Sequence, residues 1–279
     1  MNKLALTLAF YIGLLSCPIV SAEVVTPPAR RIISLTPHIT ELLFAIGAGK
    51  QIVGTVEHSD FPQRARHVRR VGNHQSIDFE AALELNPDLI LAWKEGTPKL
   101  LVEQLQRLGF RVEYISSARL SDIAKQIFQL GKLSGKDERA DEVARHFQRL
   151  LNEMKAPEGK TPVKVYFQIW DRPIITVNGN HYINDVIRWC GGENIFSDLI
   201  VPDPKVGRES VIKRNPEVIF VNGKGAKFSQ WLNEWRKWPQ IKAVKNNRLH
   251  MIKSHTISRP TPRILMGVKK ICGSISSVH

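Results

Sequence analysis

The chain lacks the signatures that would assign it a catalytic chemistry. No Gly-x-Ser-x-Gly elbow and no His-Glu-x-x-His occur. Gly131-Lys-Leu-Ser-Gly135-Lys136-Asp137 falls short of a phosphate loop: its glycine spacing is one residue short and no Ser or Thr follows the Lys. Glu57-His58-Ser59-Asp60 contains triad residue types, but sequence neighbours cannot form a triad. A nonenzymatic protein is therefore expected. Beyond the first residues no apolar run is long enough to cross a bilayer. No basic stripe with interleaved aromatics is present, so nucleic acid is not an expected partner. Cysteine is scarce, with three in 279 residues.

What is present is ordinary for a folded globular protein: 43% hydrophobic and 24% charged residues. Length argues for about two domains. The net charge of +14 is spread over scattered Lys and Arg, as on a solvated surface, where it can speed docking to an acidic partner. Residues 1–22 read as a cleaved signal peptide. Lys3 is followed by an apolar run, and Val20-Ser21-Ala22 supplies a small-residue cleavage site. A periplasmic monomer is expected. The alternative is cleavage before Cys17, where Leu14-Leu15-Ser16-Cys17 resembles a lipoprotein box. After cleavage at Ala22, Cys190 and Cys272 remain. An even pair in an exported chain reads as a disulfide, the alternative being two buried free thiols.

The best-defined stretch is 31–60. Ile32-Ile33-Ser34-Leu35 is a short buried strand, Thr40–Ile46 is helical with Gly47 and Gly49 as its stop, and Gln51–Val56 is the next strand. Such a βαβ unit has parallel strands, so the loops bearing His38 and His58 share one edge. Ligands bind at that edge in open α/β sheets. The alternation continues through a helix at Ile77–Leu85, a strand at Asp88–Trp93, a helix at Lys99–Leu108 and a strand at Phe110–Ile115. Residues 120–154 then hold only helix formers, interrupted at Ser134-Gly135. Strands resume at Val163–Trp170, Glu217–Val221 and Arg248–Ile252, with helices at Tyr182–Trp189 and Pro262–Ile275. The expected fold is α/β, with two doubly wound lobes joined by a long rigid helix. The expected division is a leader at 1–22, lobes at 23–119 and 161–279, and a helical link at 120–160. One repeat links the lobes: Glu80 through Asn86-Pro87-Asp88-Leu89-Ile90 matches Glu209 through Asn215-Pro216-Glu217-Val218-Ile219 at the same offset.

Loops on strand ends of both lobes would face each other across a cleft, a usual place for a small molecule. The first lobe offers His38, His58, His74 and Trp93; the second offers Trp170, Asp203, His255 and Arg259. Aromatic faces suit a large flat ligand, and a guanidinium suits an anionic or amide-bearing one. Each His also has a bland reading as a solvated loop residue, and Trp93 as a core-edge aromatic.

Arg31-Ile-Ile-Ser-Leu-Thr-Pro-His-Ile-Thr-Glu41, His58-Ser-Asp-Phe-Pro62, Asn86-Pro-Asp-Leu-Ile90 with Trp93, and Cys190-Gly-Gly-Glu-Asn-Ile-Phe196 together resemble the periplasmic cobalamin-binding proteins of ABC importers. The wider class takes cobalamin, haem and iron siderophores. The resemblance implies capture of cobalamin or a related corrinoid between the lobes and delivery to an ABC permease with its ATPase subunits. It implies permease docking through Glu80 and Glu209, a Cys190–Cys272 disulfide, and pocket roles for Trp93 and Arg259. At the position of His58 the family commonly has an aromatic, so this cradle is richer in imidazole. Haem, an iron siderophore, or Zn2+ or Mn2+ held by His38, His58, His74 or His255 are the alternative ligands, and a periplasmic hydrolase is the alternative class.

Overall fold

The computed structural model describes residues 27–278 apart from 74 and 224. The leader, Cys17 and His74 lie outside the described residues.

The first sheet is built from β1 (Ile32–Ser34), α1 (Pro37–Ala45), β2 (Ile52–Thr55), α2 (Phe79–Glu84), β3 (Leu89–Trp93), α3 (Lys99–Arg107) and β4 (Val112–Ile115). Its strand order is β2-β1-β3-β4, parallel throughout. Two helices follow, α4 (Asp122–Ser134) and α5 (Asp137–Asn152). The second sheet comes from β5 (Val163–Trp170), β6 (Ile175–Thr176), α6 (Tyr182–Trp189), β7 (Gly192–Asn194), α7 (Arg208–Arg214), β8 (Val218–Gly223), α8 (Ala226–Arg236), α9 (Lys242–Lys245), β9 (Leu249–Lys253) and α10 (Leu265–Ser276). Its order is β6-β5-β8-β9, with β7 pairing the start of β5; only β6 runs antiparallel.

The pleat sorts each strand's side chains into two clusters. Ile32, Leu89 and Leu91 face one side of the first sheet; Ile33, Ile90 and Ala92 face the other. Phe167 and Phe220 divide from Tyr166, Ile219 and Val221 in the same way. The inner faces of both sheets belong to a single apolar cluster, continuous through Leu42 of α1, Ile127 of α4, Phe147 of α5, Val186 of α6 and Ile271 of α10. The two lobes thus share a core. Hinge opening that parted them widely would expose it, at about 25 cal/mol per Å2 of apolar surface.

Gly131 and Gly135 serve this link. A Cβ on Gly131 would fall 2.5 Å from the Ala140 Cβ, so the glycine is what lets α4 and α5 approach. Gly135 ends α4 in the left-handed region, at φ 65°. The expected link as one long helix is refined here to this packed pair, whose second member is about 24 Å long.

The sequence repeat has a structural cause. Asn86 and Asn215 both take positive φ, 40° and 47°, which Asn tolerates better than most residues. The acid two positions later then caps the neighbouring central strand. Asp88 accepts from the backbone N–H groups of Arg30 and Arg31 at 2.7 and 3.0 Å, and Glu217 accepts from that of Lys164 at 3.1 Å. Observed boundaries differ from the sequence expectation mostly by a residue or two. α1 starts earlier, at Pro37, because proline's fixed φ suits a first helical position. Short β6 and β7, and α8, carry too little periodic signal to be read in advance.

Candidate functional site

The parallel register places Ser34, Thr55 and Trp93 toward one edge of the first sheet. The chain leaves β2 there through Glu57–Asp60. A buried hydroxyl cluster fixes the root of that loop: Thr40 Oγ1 and Thr55 Oγ1 lie 2.7 Å apart, and the Thr55 hydroxyl donates to Ser59 Oγ at 2.9 Å. Arg70 donates to the Ser59 carbonyl at 2.9 Å. His58 follows with φ 64°, in the left-handed region.

From the second lobe, the segment after β9 meets this edge. Glu41, on α1 and only 3% exposed, is held there from across the lobe boundary. Thr261 Oγ1 and Arg263 Nε both donate to its Oε1 at 2.6 Å, and the Arg263 terminal nitrogen donates to Oε2. This fork-to-fork geometry is the strong form of a charge-assisted pair. Arg263 also lies over the Phe61 ring, 3.8 Å from its centroid. Arg259 stands beside it. Its Nη1 donates to Asp60 Oδ1 at 2.8 Å and its Nη2 to the His58 carbonyl at 2.7 Å, while Glu41 Oε2 is 3.7 Å away. A hollow of about 430 Å3 lies here, lined by Asp60, Phe61 and Arg66 of one lobe and by His255, Ser258, Arg259 and Arg263 of the other.

Beside it, His38 is buried with its ring edge-on to Trp93, centroids 5.3 Å apart. Thr36 Oγ1, His38 Nε2 and Trp93 Nε1 are buried with no hydrogen-bond partner among the described residues. Burial, reinforced by the charge of Arg259, pushes the His38 pKa down from 6.5 to about 3, so the imidazole is neutral. For Asp60, partial burial raises the pKa, but the Arg259 hydrogen bond and charge outweigh it and the net shift is downward.

The other expected residues are spread along the second lobe. Trp170 ends β5 and lies edge-on to Trp231, 6.1 Å between centroids, in a separate hollow of about 480 Å3 with Arg172 and Glu234. Asp203 has a half-exposed side chain and lies 4.0 Å from His181, which caps α6 by accepting from the Ile183 N–H; partial desolvation raises the Asp203 pKa. Tyr182 beside it donates to the Ile257 carbonyl at 3.1 Å, linking α6 to the Arg259 segment. The structure therefore brings His255 and Arg259 to one hollow, with His58 tied to Arg259 through its carbonyl, His38 within reach of the Arg259 charge and Trp93 packed on His38, and leaves Trp170 and Asp203 apart. Among the described residues, no group of three or more His, Cys, Asp or Glu could hold a metal ion.

Glu80 and Glu209 are exposed in the first turns of α2 and α7, one on each lobe. Cys190, at the end of α6, is bonded to Cys272 of α10. Sequence reasoning gave no role to Glu41, Asp60, Thr261 or Arg263. One signal for Glu41 was available: a lone carboxylate inside the apolar run Thr40-Glu41-Leu42-Leu43-Phe44 is buried by its helix and needs a cation.

Residues 32–256 match the family described as periplasmic binding protein. The vitamin B12-binding protein of Vibrio parahaemolyticus is 35% identical over 283 aligned positions, covering 100% of this chain and 98% of that one. The vitamin B12-binding protein of Pectobacterium atrosepticum is 32% identical over 277 positions, covering 97% and 95%. Among solved structures, the periplasmic vitamin B12 binding protein BtuF of Vibrio cholerae is 36% identical with a TM-score of 0.80, over 89% of this chain and 97% of that one. The periplasmic heme-binding protein RhuT from Roseiflexus is 21% identical with a TM-score of 0.77, over 89% and 98%, a likeness of fold alone.

Proposed function

This chain belongs to the periplasmic binding protein family, and on that footing we propose that it is the ligand-capturing component of an ABC importer for cobalamin or a related corrinoid. The observation that carries the reading is full-length likeness, at about a third identity, to proteins named for vitamin B12 binding. The geometry agrees with it. A hollow lined from both lobes offers the donors of Arg259 for carboxamide or phosphate oxygens, and the indole of Trp93, packed on His38, is the proposed platform for an apolar macrocycle.

His38, His58, His74 and His255 are the further proposed lining residues, and Trp170 and Asp203, which lie apart from this hollow, are proposed to meet the ligand from elsewhere on the second lobe. The ligand is cargo, and the protein performs no reaction on it. We place the lobes at 23–119 and 161–279, with the helical link at 120–160 between them. Export through the cleaved leader puts a monomer in the periplasm. Glu80 and Glu209, one per lobe, present carboxylates to basic residues of the permease, whose ATPase subunits drive release. The shared core restricts lobe motion, so the loaded and empty forms differ by small hinge changes.

Haem is the second reading, favoured by the unpartnered Nε2 of the neutral His38 imidazole as an iron ligand. The two are separated by incubating the purified mature protein with equimolar cyanocobalamin or haemin and passing each mixture through a desalting column. Corrinoid absorbance in the protein fraction is expected. Haem retained with cyanocobalamin lost would overturn the assignment.

A further inference from the structure

The two arginines that cross the lobe boundary have different attachments. Arg263 and Thr261 grip Glu41, a carboxylate only 3% exposed. That contact lies inside the shared packing and forms a fixed pivot. Arg259 is as sheltered as Arg263, 19% exposed, and stands 3.7 Å from Glu41 Oε2, but it spends its hydrogen bonds on an exposed loop, on Asp60, whose side chain is 55% exposed, and on the His58 carbonyl. The loop's root is pinned by the Thr40–Thr55–Ser59 hydroxyls. The long Arg259 side chain is therefore the part that can let go at least cost. With the bridge made, both Nη donors of Arg259 that face the hollow are taken by the Asp60 carboxylate and the His58 carbonyl. A ligand that uses those donors must displace them.

We propose that Asp60 sets ligand affinity by competing for Arg259: in the empty protein the Asp60–Arg259 bridge latches the cleft shut, and an incoming ligand must exchange its own oxygen acceptors for the carboxylate of Asp60. The competition rests on the corrinoid reading above; the latch in the empty protein does not. The apparent dissociation constant equals the intrinsic one divided by the fraction unlatched. A partly exposed ion pair shifts that fraction by about fivefold. Removing the carboxylate therefore tightens binding, the reverse of what deleting a ligand contact does. A merely structural Asp60 would not give that sign.

The test uses Asp60→Ala, with Asp60→Asn as a milder variant that keeps an oxygen acceptor. In ligand-free protein, hydrogen exchange at 57–61 and 254–260 is expected to accelerate in Asp60→Ala and less in Asp60→Asn. Calorimetric titration with cyanocobalamin is expected to show about fivefold tighter binding for Asp60→Ala. Unchanged exchange in the empty protein overturns the latch. Faster exchange with unchanged or weaker affinity overturns the competition. If the wild-type protein does not bind cyanocobalamin, the corrinoid reading falls, and the exchange rates alone uphold or overturn the latch.

Discussion

Glu41→Gln removes one charge from the pivot between the lobes and keeps the side chain's length. In the wild type the carboxylate accepts one bond from Thr261 and two from Arg263. Its own exposure is 3% and that of the Arg263 side chain is 19%. Removing one partner of a buried pair costs about 3–5 kcal/mol, because the survivor is left uncompensated. Two features lower that figure here. Gln retains one oxygen acceptor, and Arg263 keeps some solvent and its stacking on Phe61. A loss of about 2–3 kcal/mol is therefore expected. At about 2–4 °C per kcal/mol for a chain of this size, the melting temperature falls by about 4–12 °C. Differential scanning calorimetry measures it, and the apolar core shared by both lobes predicts a single transition in both proteins. The cycle with Arg263→Gln adds a second check, since the double variant should lose less than the two singles summed. A shift below about 0.5 kcal/mol, or strict additivity, would refute the reasoning that this pair ties the lobes.

Acid sensitivity follows from His38. Burial holds its folded pKa near 3 against 6.5 unfolded, so the unfolded chain takes up the proton first and stability declines as pH falls below 6.5. The slope is at most about 1.4 kcal/mol per pH unit. Urea midpoints at pH 7 and pH 5 should converge in His38→Leu; an unchanged pH dependence would contradict the assignment. His181, also lowered by burial to about 4, contributes in the same direction and remains in that variant. Asp60 acts in the same direction in a lower pH window: its lowered pKa stabilises the fold above about pH 4, and that contribution disappears as pH falls through the folded value. Replacing both Cys190 and Cys272 with Ala opens a loop of 82 residues and should cost about 4 kcal/mol by chain entropy, read as a lower denaturation midpoint. Glu80→Lys with Glu209→Lys should abolish uptake in cells while purified protein binds ligand as before; lost binding would remove the docking role.

Much of the fold was legible because its signals are local. Leu89–Trp93 and the 218–221 part of β8 are continuous apolar runs, as strands covered on both faces require. Asn-Pro-acid marked both lobes because the left-handed Asn and the strand-capping acid are fixed by short-range geometry. The individual residues at the strand ends were also visible, since βαβ handedness and parallel register place loop residues on one edge. What was not legible is which of them touch across the lobes. Glu41 and Arg263 are 222 positions apart and Asp60 and Arg259 are 199 apart. Nothing in either local sequence announces the other. The imidazoles of His38 and His58 look alike in sequence, yet one is buried against Trp93 and the other exposed on a turn, a difference made by where the elements dock.

Calorimetric titration of the purified mature protein with cyanocobalamin tests the central claim most directly. One-to-one binding that is lost or strongly weakened in Trp93→Ala is the predicted result. Absence of heat with cyanocobalamin, alongside saturable binding of haemin, would contradict it.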